Sequence, residues 1–238
     1  AVDVGQDLLN VRAIKTADEI DALRRAVQLS EAALEKTLPQ VKIGMTELEI
    51  AAVLEQELKD AGSDALAFGT IVLTGPKSAL PHGNTGTRQL QNGDFLLFDF
   101  GGMKDEYPAD ITRTFIIGEP TDQQRAIYEA VKEANAAARA IAAPGVLCSE
   151  VDKAARDVIT AAGFGDYFTH RTGHGLGLEG HELPQISATS DIPLETGMVF
   201  TIEPGVYVPE VGGVRIEDDM IVTATGAESL TSFSRELM

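Results

Sequence analysis

The chain has 238 residues, 44% of them hydrophobic, enough to bury a substantial core in one large domain or two small ones. Its formal net charge of −18, with no basic cluster beyond Arg24-Arg25, argues against nucleic acid and anionic membrane as partners, because both need positive patches. No apolar run approaches the ~20 residues of a membrane-spanning helix, AVDVGQDLLN does not read as a signal peptide, and the lone Cys148 has no intrachain disulfide partner, which fits a reducing cytoplasm.

In chain order, the first element is a helix opened by the capping pair Thr16/Glu19, with Ile20, Leu23, Val27 and Leu34 along one face. Thr46 and Glu49 open a second helix through about Leu58, ended near Gly62. Three β-rich segments follow: FGTIVLTG, DFLLFDFGG and DITRTFIIG. Thr121 and Gln124 then open a third helix, running to about Ile141 and stopped by Pro144-Gly145, and Ser149 caps a fourth through about Ala162. Two more strand segments close the series, MVFTIEPGVYV and GVRIEDDMIVT. Blocks of helices alternating with blocks of strands predict an α+β domain, helices on one face of a largely antiparallel sheet.

The blocks also suggest an internal duplication. Asp99 stands six residues after Gly93, and Glu203 six after Gly197. Each acid is followed by a bend and a second strand region carrying another acid, Asp110 in the first half and Glu217 in the second. Ordinary hairpins with acids near their tips would look similar. Yet Asp99 follows FLLF and Glu203 follows VFTI, and a carboxylate continuing a buried strand is costly unless it is paired or metal-bound.

Three of the four histidines, His170, His174 and His181, lie within the glycine-rich run HRTGHGLGLEGHE; the fourth is His82, in LPHGN. Bare glycine backbone lets imidazoles converge, and neutral imidazole serves both metal binding and proton transfer. Together the candidates are Asp99, Asp110, His174, Glu203 and Glu217. Four adjacent carboxylates repel one another, whereas two divalent cations would bring the group near neutrality. One imidazole with mostly oxygen donors suits Mn, Co, Zn or Fe. Two such ions roughly 3.5–4 Å apart can hold a bridging water and polarise a carbonyl.

The segments DFGGMKDEYPADITRTF, HRTGHGLGLEGHE, TIEPGVY and GVRIEDD resemble the pita-bread metallopeptidases, which include Xaa-Pro dipeptidases (prolidases), aminopeptidase P and methionine aminopeptidase. The resemblance implies the pita-bread fold, with duplicated helix pairs about a pseudo-twofold axis on a curved, mostly antiparallel sheet. It implies two divalent ions per chain, manganese first with cobalt or zinc as alternatives. Asp110 and Glu217 would bridge them, Asp99 completing one shell and His174 with Glu203 the other. It further implies hydrolysis by a metal-bridging hydroxide, with Glu203 as proton shuttle. His82 would position substrate, His181 would hydrogen-bond the scissile carbonyl, and His170 would support the site from behind. His170, Tyr207 and Arg215 favour the proline-specific branch over methionine aminopeptidase; for Arg215 a strand-edge salt bridge is the alternative.

NVRAIKTADEIDALRRAVQLSEAALE resembles the linker and first helix that follow an upstream domain in two-domain relatives. Residues 1–15 are therefore expected to be linker and 16–238 the catalytic domain of a longer protein. One departure matters: some prolidases carry an arginine between the histidine run and Glu203 that binds the free carboxylate of a dipeptide's proline, and here no Lys or Arg lies between Glu182 and Ile202. A dipeptidase must place that cation elsewhere, with the upstream domain and a partner subunit as the two candidates. The expected function is a prolidase-like dipeptidase acting on proline-containing peptides. Aminopeptidase P activity on longer Xaa-Pro-Yaa peptides is the alternative, and a non-catalytic binding protein of the same fold a more distant one. A homodimer is expected from the family, and a cytoplasmic setting from the lone Cys148.

Overall fold

The computed structural model describes residues 5–238. Helix α1 (Gly5–Ala13) precedes the first long pair, α2 (Ala17–Thr37) and α3 (Glu47–Asp60). Strands β1 (Ile71–Thr74), β2 (Phe95–Phe100), the short ribbon β3 (Met103–Lys104) with β4 (Tyr107–Pro108), and β5 (Ile111–Ile116) complete the first half. The second half begins with α4 (Asp122–Ile141) and α5 (Cys148–Ala161). It continues through β6 (Gly173–Gly175), β7 (Glu182–Ile186), β8 (Val199–Ile202), β9 (Gly205–Val208), β10 (Gly212–Arg215), β11 (Asp218–Val222) and β12 (Ala227–Ser229).

All the strand pairs are antiparallel: a three-stranded sheet ordered β1-β2-β5, a five-stranded sheet ordered β12-β11-β8-β6-β7, the β9–β10 hairpin and the β3–β4 ribbon. The α+β expectation is met. Both long strand segments of the second half break in the middle. MVFTIEPGVYV divides at Glu203-Pro204 into β8 and β9, and GVRIEDDMIVT divides at Ile216-Glu217 into β10 and β11.

Three capping boxes form as predicted. The Thr16, Thr46 and Thr121 hydroxyls accept from the amides of Glu19, Glu49 and Gln124, whose side chains accept from the cap amides in return. The fourth helix starts differently. Leu147 occupies its cap position and Ser149 lies inside the first turn. Leucine has no acceptor to offer, so only the returning half of a box is made, Leu147 N–H donating to Glu150 at 2.9 Å.

Each helix pair lies over its own apolar cluster. Leu23, Val27, Leu34, Ile50 and Leu54 from α2 and α3 pack with Leu96, Phe98 and Phe100 of β2. Ile127, Val131, Val151 and Ile159 from α4 and α5 pack with Phe200 and Ile202 of β8 and Met220 and Val222 of β11. Strand side chains alternate faces. With Leu96, Phe98 and Phe100 committed to the helices, Asp99 is turned to the opposite side of the sheet. Thr201 is turned out in the same way between Phe200 and Ile202. Residues 5–15, expected as linker, fold onto this body: Lys15 N–H donates to Gly197 O at 2.8 Å, and the Lys15 ammonium, buried, donates to Glu182 at 3.2 Å.

Candidate metal centre

All ten residues singled out from the sequence line one cavity of about 530 Å³, together with Phe68, Gly69, Ile71, Pro81 and Arg171. Asp99 comes from β2, and Asp110 lies one residue before β5. His174 is the middle residue of β6. Glu203 and Glu217 sit at the two strand breaks, where an interrupted ladder lets a carboxylate turn inward. Ligand atoms of Asp110, His174 and Glu217 all fall within 4.8 Å of one another.

Backbone and side-chain ties hold these positions. Glu217 N–H donates to Thr112 O at 3.1 Å, and Glu203 N–H to Thr172 O at 2.7 Å. The Thr112 hydroxyl donates to Glu217 at 2.6 Å, and the Asp219 carboxylate accepts from Asp110 N–H at 3.1 Å. At Gly173 a Cβ would stand 1.9 Å from Thr201 O, so only glycine lets β6 come this close to β8. On the other flank of the histidine run, the Asp152 carboxylate accepts from the Thr172 amide and hydroxyl at 3.1 and 2.8 Å.

The electrostatics are those of a site made for cations. Burial pushes Asp110 and Glu217 well above the usual carboxylate range, reinforced at Asp110 by Glu217 and Asp99, and at Glu217 by Glu203 and Asp99. Burial also raises Glu203 to about 7, against the pull of Arg215. His174 is lowered to about 3, by burial first and then by His181, and is neutral near pH 7. Its Nδ1 lies 3.1 Å from Gly175 O. A carbonyl can only accept, so Nδ1 carries the proton and Nε2 keeps its lone pair. That lone pair faces carboxylate oxygens of Glu203 and Asp110 at 3.4 and 3.6 Å. Acceptors opposed in this way are satisfied by a proton retained on an acid or by a shared cation. A donor set of one imidazole and several carboxylates fits borderline and hard divalent metals.

A second network closes the cavity. Arg215, buried, donates to Asp99 at 2.5 Å, to the Thr112 hydroxyl at 3.0 Å and to Tyr207 Oη at 2.9 Å. It reaches Glu217 through Thr112, which accepts from Arg215 and donates to the acid. Burial opposes the Arg215 charge, yet Tyr207, Asp99 and Glu217 prevail and raise it further. Tyr207, itself pushed up to about 12 by burial, holds its hydroxyl 2.8 Å from His170 Nε2. His170 Nδ1 donates to Arg171 O at 2.7 Å, and burial lowers that imidazole to about 4. His181 stacks on His174 with ring centroids 3.9 Å apart, and like His82 it is exposed at the cavity mouth.

Sequence reasoning missed Phe68, Ile71, Pro81, Arg171 and the ties made by Thr112 and Asp152. Arg171 was legible in principle, lying inside the histidine run. The apolar wall carries no pattern that marks it before folding.

Residues 21–224 match the model for metallopeptidase family M24. The chain is 47% identical over 237 residues to the putative dipeptidase YkvY of Bacillus subtilis, covering 100% of this chain and 65% of that protein. It is 44% identical over 236 residues to the Xaa-Pro dipeptidase of Pyrococcus furiosus, covering 99% and 67%. The chain thus spans about two thirds of the length of these relatives. Among solved structures, the X-Pro aminopeptidase of Thermotoga maritima superposes with a TM-score of 0.96 at 41% identity over 98% of this chain and 66% of that one. The prolidase of P. furiosus does so with 0.95 at 42%, over 97% and 68%. Fold, order of elements and sequence agree, and the chain belongs to metallopeptidase family M24 with the pita-bread architecture of that family.

Proposed function

We propose that this chain is the catalytic unit of a metal-dependent exopeptidase that hydrolyses Xaa-Pro bonds, with dipeptides as its preferred substrates. The observation that carries the reading is the neutral, Nδ1-protonated His174 whose bare Nε2 faces the carboxylates of Asp110 and Glu203, one from each half of the chain. Asp99, Asp110, His174, Glu203 and Glu217 would hold two divalent ions, manganese first and cobalt or zinc as alternatives. Such ions supply Lewis-acid polarisation of the scissile carbonyl and acidify the attacking water.

The protein's own groups do the rest. Glu203 would take the proton from the attacking water and return it to the leaving proline nitrogen. His181 and His82, at the mouth of the cavity, orient the substrate and donate to the carbonyl oxygen as charge develops there. Arg215 and Thr112 hold Asp99 and Glu217 in place, and the Tyr207 hydroxyl ties Arg215 to His170. Phe68, Ile71 and Pro81 give the cavity an apolar wall suited to a pyrrolidine ring. A homodimer and a cytoplasmic setting complete the proposal. The first rests on the family resemblance and the second on a lone, buried cysteine.

A second reading, cleavage of longer Xaa-Pro-Yaa peptides, is favoured by the equal structural likeness to the T. maritima X-Pro aminopeptidase. Hydrolysis of Xaa-Pro against Xaa-Pro-Yaa peptides, with Mn, Co and Zn supplied separately to chelator-stripped enzyme, tests both. The expected result is metal-restored activity that is highest on dipeptides, with up to two ions per chain by elemental analysis. Full activity without metal would overturn it.

A further inference from the structure

The cavity contains two guanidinium groups, and only one of them is used internally. Arg215 is committed to Asp99, Thr112 and Tyr207. Arg171 also lines the cavity, yet its side chain pairs with no carboxylate among the described residues.

The backbone that carries Arg171 is held from both sides. His170 O accepts from Arg156 at 3.0 Å, and Arg171 O accepts from His170 Nδ1 at 2.7 Å. On the other side Thr172 is clamped by Asp152. Arg156 is in turn anchored to Asp152 and lies over the Phe168 ring, 4.2 Å from its centroid. The result is a cation on a held backbone, lining the cavity without a counter-ion of its own. The acids deeper in the cavity are unsuited to be its partner: Asp99 is taken by Arg215, and Asp110, Glu203 and Glu217 face His174 and one another.

We propose that Arg171 is a specificity-determining residue that receives the free C-terminal carboxylate of a dipeptide substrate. The planar fork of a guanidinium matches a carboxylate in bidentate fashion, whereas an extended peptide presents a neutral amide at the same point. This rests on the Xaa-Pro reading of the cavity, and it supplies from inside the histidine run the cation that is absent between Glu182 and Ile202.

The test compares wild type with Arg171→Gln and Arg171→Lys in two assays on the metal-loaded enzyme. In turnover, Xaa-Pro is set against its C-terminal amide, Xaa-Pro-NH2. In binding, calorimetry sets L-proline against L-prolinamide, without any need for chemistry. The expected result is that the preference for the free carboxylate, in kcat/KM and in Kd, falls about tenfold in Arg171→Gln, with the turnover change carried by KM, and is partly restored in Arg171→Lys. A one-decade change is about 1.4 kcal/mol, modest for a charge-assisted pair. Unchanged preference, or equal losses on the acid and the amide, would overturn the assignment. If wild type cleaves no Xaa-Pro peptide yet its preference for proline over prolinamide is lost in Arg171→Gln, the carboxylate site stands and the peptidase reading fails. If wild type cleaves Xaa-Pro peptides and its preference survives in Arg171→Gln, the reverse holds.

Discussion

His174 Nε2 faces Glu203 and Asp110 with a lone pair, and they face it with carboxylate oxygens. Such an arrangement tolerates few substitutions. Asp110→Asn and Glu217→Gln preserve shape but remove a charge from the centre of the donor set. Each should lower divalent metal affinity by about 100-fold or more, beyond the 10- to 100-fold typical of losing a residue that only supports a ligand. Because each also removes a buried carboxylate crowded by others, the metal-free variants should unfold at the same temperature as metal-free wild type or higher. Calorimetric titration and thermal denaturation check the two halves. Protons compete with metal at the same oxygens. Glu203 titrates near 7 in the fold against about 4.3 in the unfolded chain. Its retained proton therefore stabilises the metal-free fold at low pH, and that contribution is lost as pH rises from about 4 toward 7. Metal affinity should move the other way, strengthening from pH 5.5 to 8, with proton release measurable in buffers of different ionisation enthalpy.

At the scale of single elements, the sheet around the site is held by a buried ionic cluster at the start of β11. Asp218 accepts from Arg113 at 2.8 Å, from Arg235 at 2.7 and 2.8 Å, and from Asn135 at 2.9 Å. Burial opposes its charge, but Arg113 and Arg235 hold it below the usual carboxylate range. Arg113 also donates to the backbone carbonyls of Glu217, Phe233 and Ser234, so the C-terminal segment and a candidate ligand share one anchor. Asp218→Asn would leave buried guanidinium groups without their counter-charge, and should cost roughly 3–5 kcal/mol in urea unfolding. The wild-type contribution is present above about pH 4 and is lost as pH falls through the depressed native value. Gly173→Ala tests the close approach of β6 to β8. A Cβ there meets Thr201 O at 1.9 Å, whereas one at Gly180 meets nothing within 4 Å. The first substitution should displace His174 and reduce metal binding, while the second leaves binding unchanged.

For the whole molecule, the candidate ligands come from both halves. Asp99 lies on β2 and Asp110 just before β5, in the first half. His174 on β6, and Glu203 and Glu217 at the breaks between β8 and β9 and between β10 and β11, come from the second half. Metal bound among them would bind the folded chain and not the unfolded one, adding about 2.7 kcal/mol at a free concentration 100 times Kd. For a chain of this size that corresponds to roughly 5–10 °C in the unfolding midpoint. Stripping metal with a chelator should lower the midpoint by that much, and readdition should restore it. An unchanged midpoint would count against the centre described.

Local chemistry was readable from the chain alone: three capping boxes, the apolar runs that make Asp99 and Glu203 costly without a partner, and the matched spacing of the four acids. These depend on residues a few positions apart, where sterics and hydrogen bonding act without help from the rest of the fold. The fourth helix began before its predicted cap because the Glu150 side chain reaches back to Leu147 N–H, which a search for a polar cap does not detect. The breaks at Glu203-Pro204 and Ile216-Glu217 were hidden too, because β propensity continues across both while the ladder partners change. Folding decided the contacts between residues about 100 apart, such as Thr112 with Glu217 and Arg215 with Asp99. It also decided that Arg215 is spent on an internal acid while Arg171 is left facing the cavity. Burial and the choice of counter-ion are properties of assembled surfaces, and no local pattern encodes them.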